Sequence, residues 1–429
     1  MVPKRPLPNR FAASTRLGSA YNPRVITLDE AIRIAAKALD APGVEDVPLE
    51  EASGRVAARD IASDVDWPPF DTSAMDGYAV RLADSGPSRP VRERPGLVAA
   101  GADAPAPLAP GEAARVMTGA PIPEGTELIV PIERARRQDG SVVFEGESAF
   151  GAHIRRRGES VRAGNRLVAA GLRLRPADVA LAALAGADPI PVFRAPRIAV
   201  AVTGDEVVRG RGTPPPGRLR DSNGPMLLAA CRAAGWPARR LPAVADTASA
   251  VGSLFADAGR EEDFLITTGG VSAGDLDLLP AAAAAAGFEI LFHGVAMRPG
   301  KPLVFARRRG VFWIGLPGNP VSSSVGFLVF AREALSRFEG DAAPGAPRVF
   351  AQLTAPLRGA SNEAFQDGSW SSGAGGHTVT PVRSAGSHDL AAHARANVLI
   401  RLPAGCGPLP EGAPVECLVR GGAQAPPAS

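Results

Sequence analysis

Several short stretches of this chain combine hydroxyls, carboxylates, cations and glycines at spacings suited to holding an anion. Residues 263–277, DFLITTGGVSAGDLD, are the clearest. Phe264–Thr268 reads as a short buried strand. Gly269, Gly270, Ser272, Gly274, Asp275 and Asp277 follow, and an apolar run starts at Leu278. A strand that ends in small residues and opens into a helix offers bare backbone N–H groups to an anion. Carboxylates beside such a nest suggest a divalent metal bound together with a phosphate. Asp275 and Asp277 are equal candidates on the residues alone.

Other stretches repeat the theme. Thr203-Gly204-Asp205-Glu206 follows an apolar strand. Asp221-Ser222-Asn223 precedes a helix, where N-capping accounts for one of the three. Asp246-Thr247 can ligate or cap. Arg298 and Lys301 flank a Pro-Gly turn in MRPGKP, and GLPGNPVS, with Gly318, Asn319 and Ser322, leaves a strand and starts a helix. Upstream, FDTSAMDGYAV holds Ser73, Asp76 and Gly77, either as a structural turn or as a functional loop. Thr118-Gly119 admits the same two readings. Arg155-Arg156-Arg157 is either a solvated face or a set of phosphate-recognising forks. The P-loop GxxxxGK[ST], GxGxxG after a strand, GxSxG and HExxH are all absent, which disfavours P-loop NTPase, nicotinamide and serine-hydrolase chemistry. The histidines at 153, 293, 377, 388 and 393 have no metal spacing.

These motifs need elements to hold them. Thr27 with Glu30 forms a capping-box pattern ahead of an amphipathic helix over 28–40. A second short helix is expected near Leu49–Val56. From Tyr78 to about Phe150, short apolar runs (Tyr78–Val80, Ala114–Met117, Leu128–Pro131, Val142–Phe144) alternate with Gly/Pro turns and predict a small β-rich domain, with loops or irregular strands over 84–111. Over 196–336, strands and helices alternate. Strands are expected at Ile198–Val202, Leu241–Val244, Phe264–Thr268, Glu289–Val295, Leu303–Ala306 and Val311–Gly315. Helices are expected at Pro225–Ala234, Ala248–Ala258, Leu278–Ala286 and Ser322–Glu333. The pattern predicts a doubly wound, mostly parallel sheet whose ligands sit at the carboxyl ends of the strands. Beyond a linker at Asp341–Pro347, short strands (Val349–Leu353, Thr378–Pro381, Val398–Leu402, Val415–Val419) predict a small β-barrel or sandwich.

With 429 residues, the chain can form several domains. Its 47 basic and 44 acidic residues nearly balance, which argues against a nucleic-acid binder. No window reaches the length of a membrane span. Cys231, Cys406 and Cys417 are scattered, lack zinc spacing and fit a reducing cytoplasm. Residues 1–24 are basic and acid-free, and their prolines break any amphipathic helix, so a disordered tail is expected there.

Together the stretches PPFDTSAMDGYAV, VMTGAPIPEG, IRRRGE, VTGDEV, DSN, TTGGVSAGD, MRPGKP and GLPGNPVS, in this order over about residues 25–335, resemble the molybdopterin molybdenumtransferase family. That family is known as MoeA in bacteria and as the gephyrin E-domain type in eukaryotes. The C-terminal part matches less sharply, through GSH at 386–388. The resemblance implies an elongated helical domain from two segments (25–66 and 155–195), an inserted β-rich domain (67–154), an α/β molybdopterin-binding domain (196–340) and a C-terminal β-barrel (346–420). It implies insertion of molybdate-derived molybdenum into adenylylated molybdopterin with release of AMP. It places Mg2+ on Glu206, Asp246 and Asp277, and Arg298, Lys301, Ser322 and Ser387 around molybdate. Arg155, Ser222, Gly269, Gly270, Ser272, Gly274, Gly318 and Asn319 are assigned to substrate. The implied enzyme is a cytoplasmic homodimer in which Asp76 and Thr118 reach in from the partner subunit, with a molybdopterin adenylyltransferase as donor of the substrate. Three positions depart from the family pattern: Ser160 for an aspartate, Gly294 for a lysine, and Asp367 where a molybdate-binding arginine is expected. An aspartate facing an oxyanion would repel it. These departures motivate an alternative, a catalytically weakened paralogue that binds or carries molybdopterin or its molybdenum cofactor.

Overall fold

The computed structural model describes residues 25–40, 42–87, 89–271 and 278–420. The expected tail at 1–24 and the residues Ser272, Gly274, Asp275 and Asp277 lie outside that set.

A six-stranded sheet forms the α/β core, in the order Ala238–Arg240, Ile198–Val202, Phe264–Thr268, Val311–Leu316, Val304–Arg308, Glu289–His293. The first four strands are parallel, and Val304–Arg308 runs antiparallel to both of its neighbours. Ile198–Val202, Phe264–Thr268 and Val311–Leu316 are buried at every position, as befits strands covered on both faces. Their side chains alternate between two clusters. Val200, Ile266 and Ile314 pack with Leu227, Cys231 and Leu335 on one face. Ala199, Leu265 and Trp313 pack with Val251, Phe255 and Leu279 on the other. The Leu28–Ala38 helix, capped by Thr27 Oγ1 accepting from Glu30 N–H at 3.2 Å, lays Leu28, Ala31 and Ala35 on the first cluster. Burial pushes the Cys231 and Cys417 thiols up to about 12, Glu416 adding to the rise at Cys417.

One strand differs from expectation. Pairing at the sheet edge occurs at Ala238–Arg240, ahead of the predicted Leu241–Val244. Pro242 has no N–H to donate, so the ladder breaks there. Leu241 and Val244 still donate to Val200 O and Val202 O, which keeps the chain alongside as far as Asp246.

Residues before and after the inserted sheet pair with one another: Val44–Val47 with Ile190–Phe193, Ile61–Ala62 with Arg166–Val168, and Thr72–Ser73 with Ile154–Arg155. Val47, Val168, Leu174, Ala182 and Val192 form their core, to which the Pro176–Leu184 helix contributes. The helix expected near Leu49–Val56 is a single 3-10 turn, Leu49–Glu51. The inserted unit is a six-stranded sheet, ordered Leu128–Pro131, Gly77–Val80, Glu112–Val116, Val91–Val98, Ser141–Phe144, Ala135–Gln138. Val91–Val98 is the irregular strand of the 84–111 region. Its register slips between Glu93 and Leu97, where Pro95-Gly96 interrupts pairing.

The C-terminal strands Arg348–Leu353, Glu363–Gly373, Gly376–Pro381, Val398–Leu402 and Pro414–Val419 close on themselves, because Glu363–Gly373 pairs with both Gly376–Pro381 and Val398–Leu402. Closure removes the exposed edges of the sheet. Met297–Arg298 adds to this barrel at Glu363 and Ala364, stitching the MRPGKP turn of the α/β core to the C-terminal domain. Among the described residues no helix is long and apolar enough to cross a membrane.

Candidate active site

The carboxyl ends of the three central parallel strands meet in a polar hub. Asn223, the first residue of the Asn223–Ala233 helix, donates through Nδ2 to Thr268 Oγ1 at 2.8 Å and to Gly318 O at 2.7 Å. Thr268 Oγ1 donates to Pro317 O at 2.9 Å, and Ser323 Oγ lies 3.4 Å from it. Gly269 follows with φ 94°, and a Cβ there would sit 2.8 Å from both Thr203 O and Thr203 Oγ1; only glycine brings the two strand ends this close. Asn223 Oδ1 is buried with no hydrogen-bond partner among the described residues, the kind of acceptor a bound ligand or water satisfies. Ser222, the candidate from the sequence, precedes the helix without a side-chain capping bond. Asp221 accepts from Gly224 N–H at 2.8 Å instead and pairs with Arg240. The DSN stretch therefore places Asn223 at the hub, whereas the sequence pointed to Ser222 as the substrate residue of that stretch.

Carboxylates gather beside the hub. Asp205 and Asp246 exchange backbone hydrogen bonds: Asp246 N–H donates to Asp205 Oδ1 at 3.2 Å and Asp205 N–H to Asp246 Oδ2 at 3.3 Å. Glu206 folds over Gly204, its carboxylate oxygens 2.8 Å from where a Gly204 Cβ would lie. Loss of hydration pushes the Asp246 carboxyl above its ordinary range; the Asp205 N–H opposes this, and the charges of Asp205 and Glu206 add to it. Thr247 caps the following helix through Ala250 N–H at 3.2 Å, so the Asp246 carboxylate is not spent as a cap. Among the described residues no three His, Cys, Asp or Glu side chains converge as a metal site. Glu206 and Asp246 supply two carboxylates on this edge, and Asp277 lies outside the described residues.

Cations and hydroxyls approach from the other side. Arg298 and Lys301 are exposed on a turn packed against the GNPVS segment, where a Cβ on Gly300 would lie 3.4 Å from Ser322 O. Ser322 is buried. Asn319 Nδ2 donates to Ser387 Oγ at 3.0 Å, and Val321 N–H donates to Ser387 O at 3.2 Å. The barrel loop thus brings Ser387 to Gly318, Asn319 and Ser322. Gly294, one of the departures, has φ 102° and donates to Leu303 O while accepting from Ile26 N–H, a backbone position at which a lysine would be strained. Ser160, another departure, is exposed and donates its N–H to Trp67 O.

The inserted unit carries its own constellation. Thr118 donates to Asp76 Oδ1 through both N–H, 2.7 Å, and Oγ1, 2.8 Å. These bonds hold the Asp76 carboxyl below the usual range. In the arginine cluster, Arg156 pairs with Asp71 and Arg157 with Asp66. Arg155 is exposed and has no ion pair among the described residues, so it is the cation of the three left for an external anion.

Asp367 corrects the expectation of a carboxylate that repels oxyanions. It is only 7% exposed, and its Oδ1 lies 2.7 Å from His393 Nδ1. Its charge is committed inside the protein, on the long Glu363–Gly373 strand that the sequence did not disclose.

Three family profiles match in chain order: "MoeA N-terminal region (domain I and II)" at residues 26–186, "Probable molybdopterin binding domain" at 199–337, and "MoeA C-terminal region (domain IV)" at 351–419. Molybdopterin molybdenumtransferase 2 of Mycobacterium tuberculosis is 36% identical over 390 residues, spanning 88% of this chain and 95% of its own. Molybdopterin molybdenumtransferase of Bacillus subtilis is 37% identical over 315 residues, spanning 72% and 73%. The crystal structure of a molybdopterin biosynthesis MoeA protein from Pyrococcus horikoshii OT3 superposes with a TM-score of 0.78 at 26% identity, covering 92% of this chain and 100% of that one.

Proposed function

The chain belongs to the MoeA family of molybdopterin molybdenumtransferases, enzymes of molybdenum cofactor biosynthesis, and from that membership we propose the form of its reaction: molybdate and adenylylated molybdopterin enter, molybdenum is placed on the dithiolene, and AMP leaves.

The observation that carries this reading is that the Gly300 turn between Arg298 and Lys301 lies against Ser322 O while Asn319 bonds Ser387, beside a strand-end hub where Asn223 Oδ1 has no partner among the described residues. Every reactant is an anion. Cations with no ion pair among the described residues, together with fixed N–H donors, can gather such reactants without reorganising. Arg298, Lys301, Ser322 and Ser387 hold molybdate. Gly269, Gly270, Gly318, Asn319 and Ser222 line the side that takes the pterin phosphate; Ser272 and Gly274, outside the described residues, are assigned to the same substrate.

Magnesium fits the carboxylate edge. It is usually bound by one or two carboxylates plus substrate phosphates and waters, and an Asp246 carboxyl raised by loss of hydration and, after it, by the charges of Asp205 and Glu206 gains from a cation. Glu206 and Asp246, with Asp277, would hold it. When bound, the ion supplies charge neutralisation and polarisation of the phosphoanhydride.

The active site is completed in a homodimer, with Asp76 and Thr118 coming from the partner subunit, and Arg155 binds substrate. The fixed Asp76–Thr118 pair, which makes no hydrogen bond to the strand-end hub among the described residues, supports that arrangement. A molybdopterin adenylyltransferase supplies the substrate, and three free thiols suit a cytoplasmic enzyme. The carrier alternative loses one of its three motives, because Asp367 is buried and bonded to His393.

The test is purified protein incubated with adenylylated molybdopterin, Mg2+ and micromolar molybdate under anaerobic conditions. Molybdate-dependent AMP release is expected. Absence of AMP release with intact substrate binding contradicts the reaction and favours the carrier.

A further inference from the structure

A side-chain chain, buried at Asp367 and His393 and half-buried at Ser324, crosses from the barrel to the α/β core outside the substrate-facing residues. Asp367 Oδ1 lies 2.7 Å from His393 Nδ1, and His393 Nε2 lies 2.9 Å from Ser324 Oγ. Asp367 belongs to the Glu363–Gly373 strand, His393 to the Leu390–Ala394 helix, and Ser324 to the Pro320–Gly326 helix. His393 is 1% exposed. The carboxylate accepts from Nδ1–H, which leaves Nε2 to bond the serine hydroxyl. Arg420 closes the far side by donating to His393 O and Ala396 O.

The same residues bracket one loop. Val382 N–H donates to Asp367 O at 2.8 Å, fixing the start of segment 383–388. Its end runs into the helix that carries His393, where Asp389 accepts from Ala392 N–H at 3.0 Å and from Ala385 N–H at 3.0 Å. Ser387 sits in that segment, bonded to Asn319 and Val321. Consecutive serines of one helix thus serve different neighbours: Ser322 lies beside the Gly300 turn, Ser323 reaches Thr268, and Ser324 reaches His393.

We propose that Asp367, His393 and Ser324 form an interdomain latch whose task is to position Ser387 over the molybdate subsite. The three are positioning residues. They touch no substrate, and they act by holding both ends of the Ser387 loop against the helix that begins at Asn319-Pro320. This inference rests on the proposed molybdate-binding role of Ser387. Burial alone does not demand this chain, since apolar residues would fill the same space without the polar cost.

The test uses the full-length protein with Ser324→Ala, Ser324→Thr and Asp367→Asn. Two readouts are taken: hydrogen exchange of the 383–388 amides, and molybdate affinity by titration calorimetry alongside the molybdate KM and kcat for AMP release. A misplaced ligand of this kind costs about tenfold or more. Ser324→Ala and Asp367→Asn are therefore expected to weaken molybdate affinity and raise its KM by about tenfold, with kcat altered less than about twofold. Exchange at 383–388 should accelerate while Phe264–Thr268 stays protected, and Ser324→Thr, which keeps the hydroxyl, should restore both readouts. Unchanged exchange overturns the latch. Faster exchange with unchanged molybdate affinity reduces the chain to a structural tie and overturns the positioning role. Tighter molybdate binding in Asp367→Asn means the carboxylate faces the oxyanion, and also overturns it. Wild-type protein that binds molybdate but releases no AMP defeats the reaction reading alone, because exchange and affinity still decide the latch.

Discussion

At the scale of single residues, the site separates side chains that are already satisfied from those that are not. Arg156 and Arg157 are matched by Asp71 and Asp66, whereas Arg155, Arg298 and Lys301 have no ion pair among the described residues. A charged hydrogen bond is worth about 1.5–3 kcal/mol, so Lys301→Ala is expected to raise the molybdate KM by about tenfold to a hundredfold with unchanged thermal unfolding. An unchanged molybdate dependence would remove Lys301 from the site. Gly269→Ala acts differently, since its Cβ would meet Thr203 O at 2.8 Å in a left-handed conformation. Strain of about 1–3 kcal/mol is expected, visible as a lower denaturation midpoint together with weaker molybdopterin binding. The Asp76 carboxyl is held low by two Thr118 bonds. Depression of a folded-state pKa favours the charged form above the ordinary aspartate range, and that benefit disappears as pH falls through the folded pKa. Thr118→Val removes the hydroxyl bond, so the Asp76 titration should move up towards an ordinary aspartate in an NMR titration. A titration that stays in place would show that the backbone N–H alone sets it.

At the scale of elements, junctions decide how the loops are aimed. Arg173 joins the two-segment unit to the α/β core through Glu339 at 2.8 Å and Asp341 at 2.9 Å, and Trp236 Nε1 donates to the same Glu339 at 2.8 Å. Glu339 is nearly fully buried. Arg173→Leu strands that carboxylate and should cost about 2–4 kcal/mol, read by chemical denaturation; a loss below about 0.5 kcal/mol would mean the junction holds without the ion pair. Elements of this kind were unevenly legible in the sequence. Ile198–Val202, Phe264–Thr268 and Val398–Leu402 are apolar runs bounded by turn residues, and the pattern alone located them. The Glu363–Gly373 strand, EAFQDGSWSSG, has neither alternation nor β-branched residues, because its pairing comes from barrel closure. The fate of Asp367 was hidden with it. Asn223 was visible as a residue but not as the hub, since its bonds run to Thr268 and Gly318, far away in the chain. The order of the glycine-bearing loops was legible because each leaves a strand end, where backbone geometry constrains residue type strongly.

At the scale of the whole molecule, the account joins pieces that are distant in the chain. The MRPGKP turn pairs with the barrel, Ser387 reaches the GNP loop, and the inserted unit presents Asp76 and Thr118. If the last pair acts in trans, co-expressed Asp76→Ala and Lys301→Ala chains form heterodimers in which one site is wholly native. Random pairing should then recover about a quarter of wild-type activity, whereas sites formed within one chain would recover none. The central claim is that one oxyanion site lies where the core turn, the GNP loop and the barrel meet. The most direct measurement is a crystal soaked with molybdate and recorded at the molybdenum absorption edge. The account predicts an anomalous peak bounded by Arg298, Lys301, Ser322 and Ser387. A peak elsewhere, with this corner empty, would contradict it.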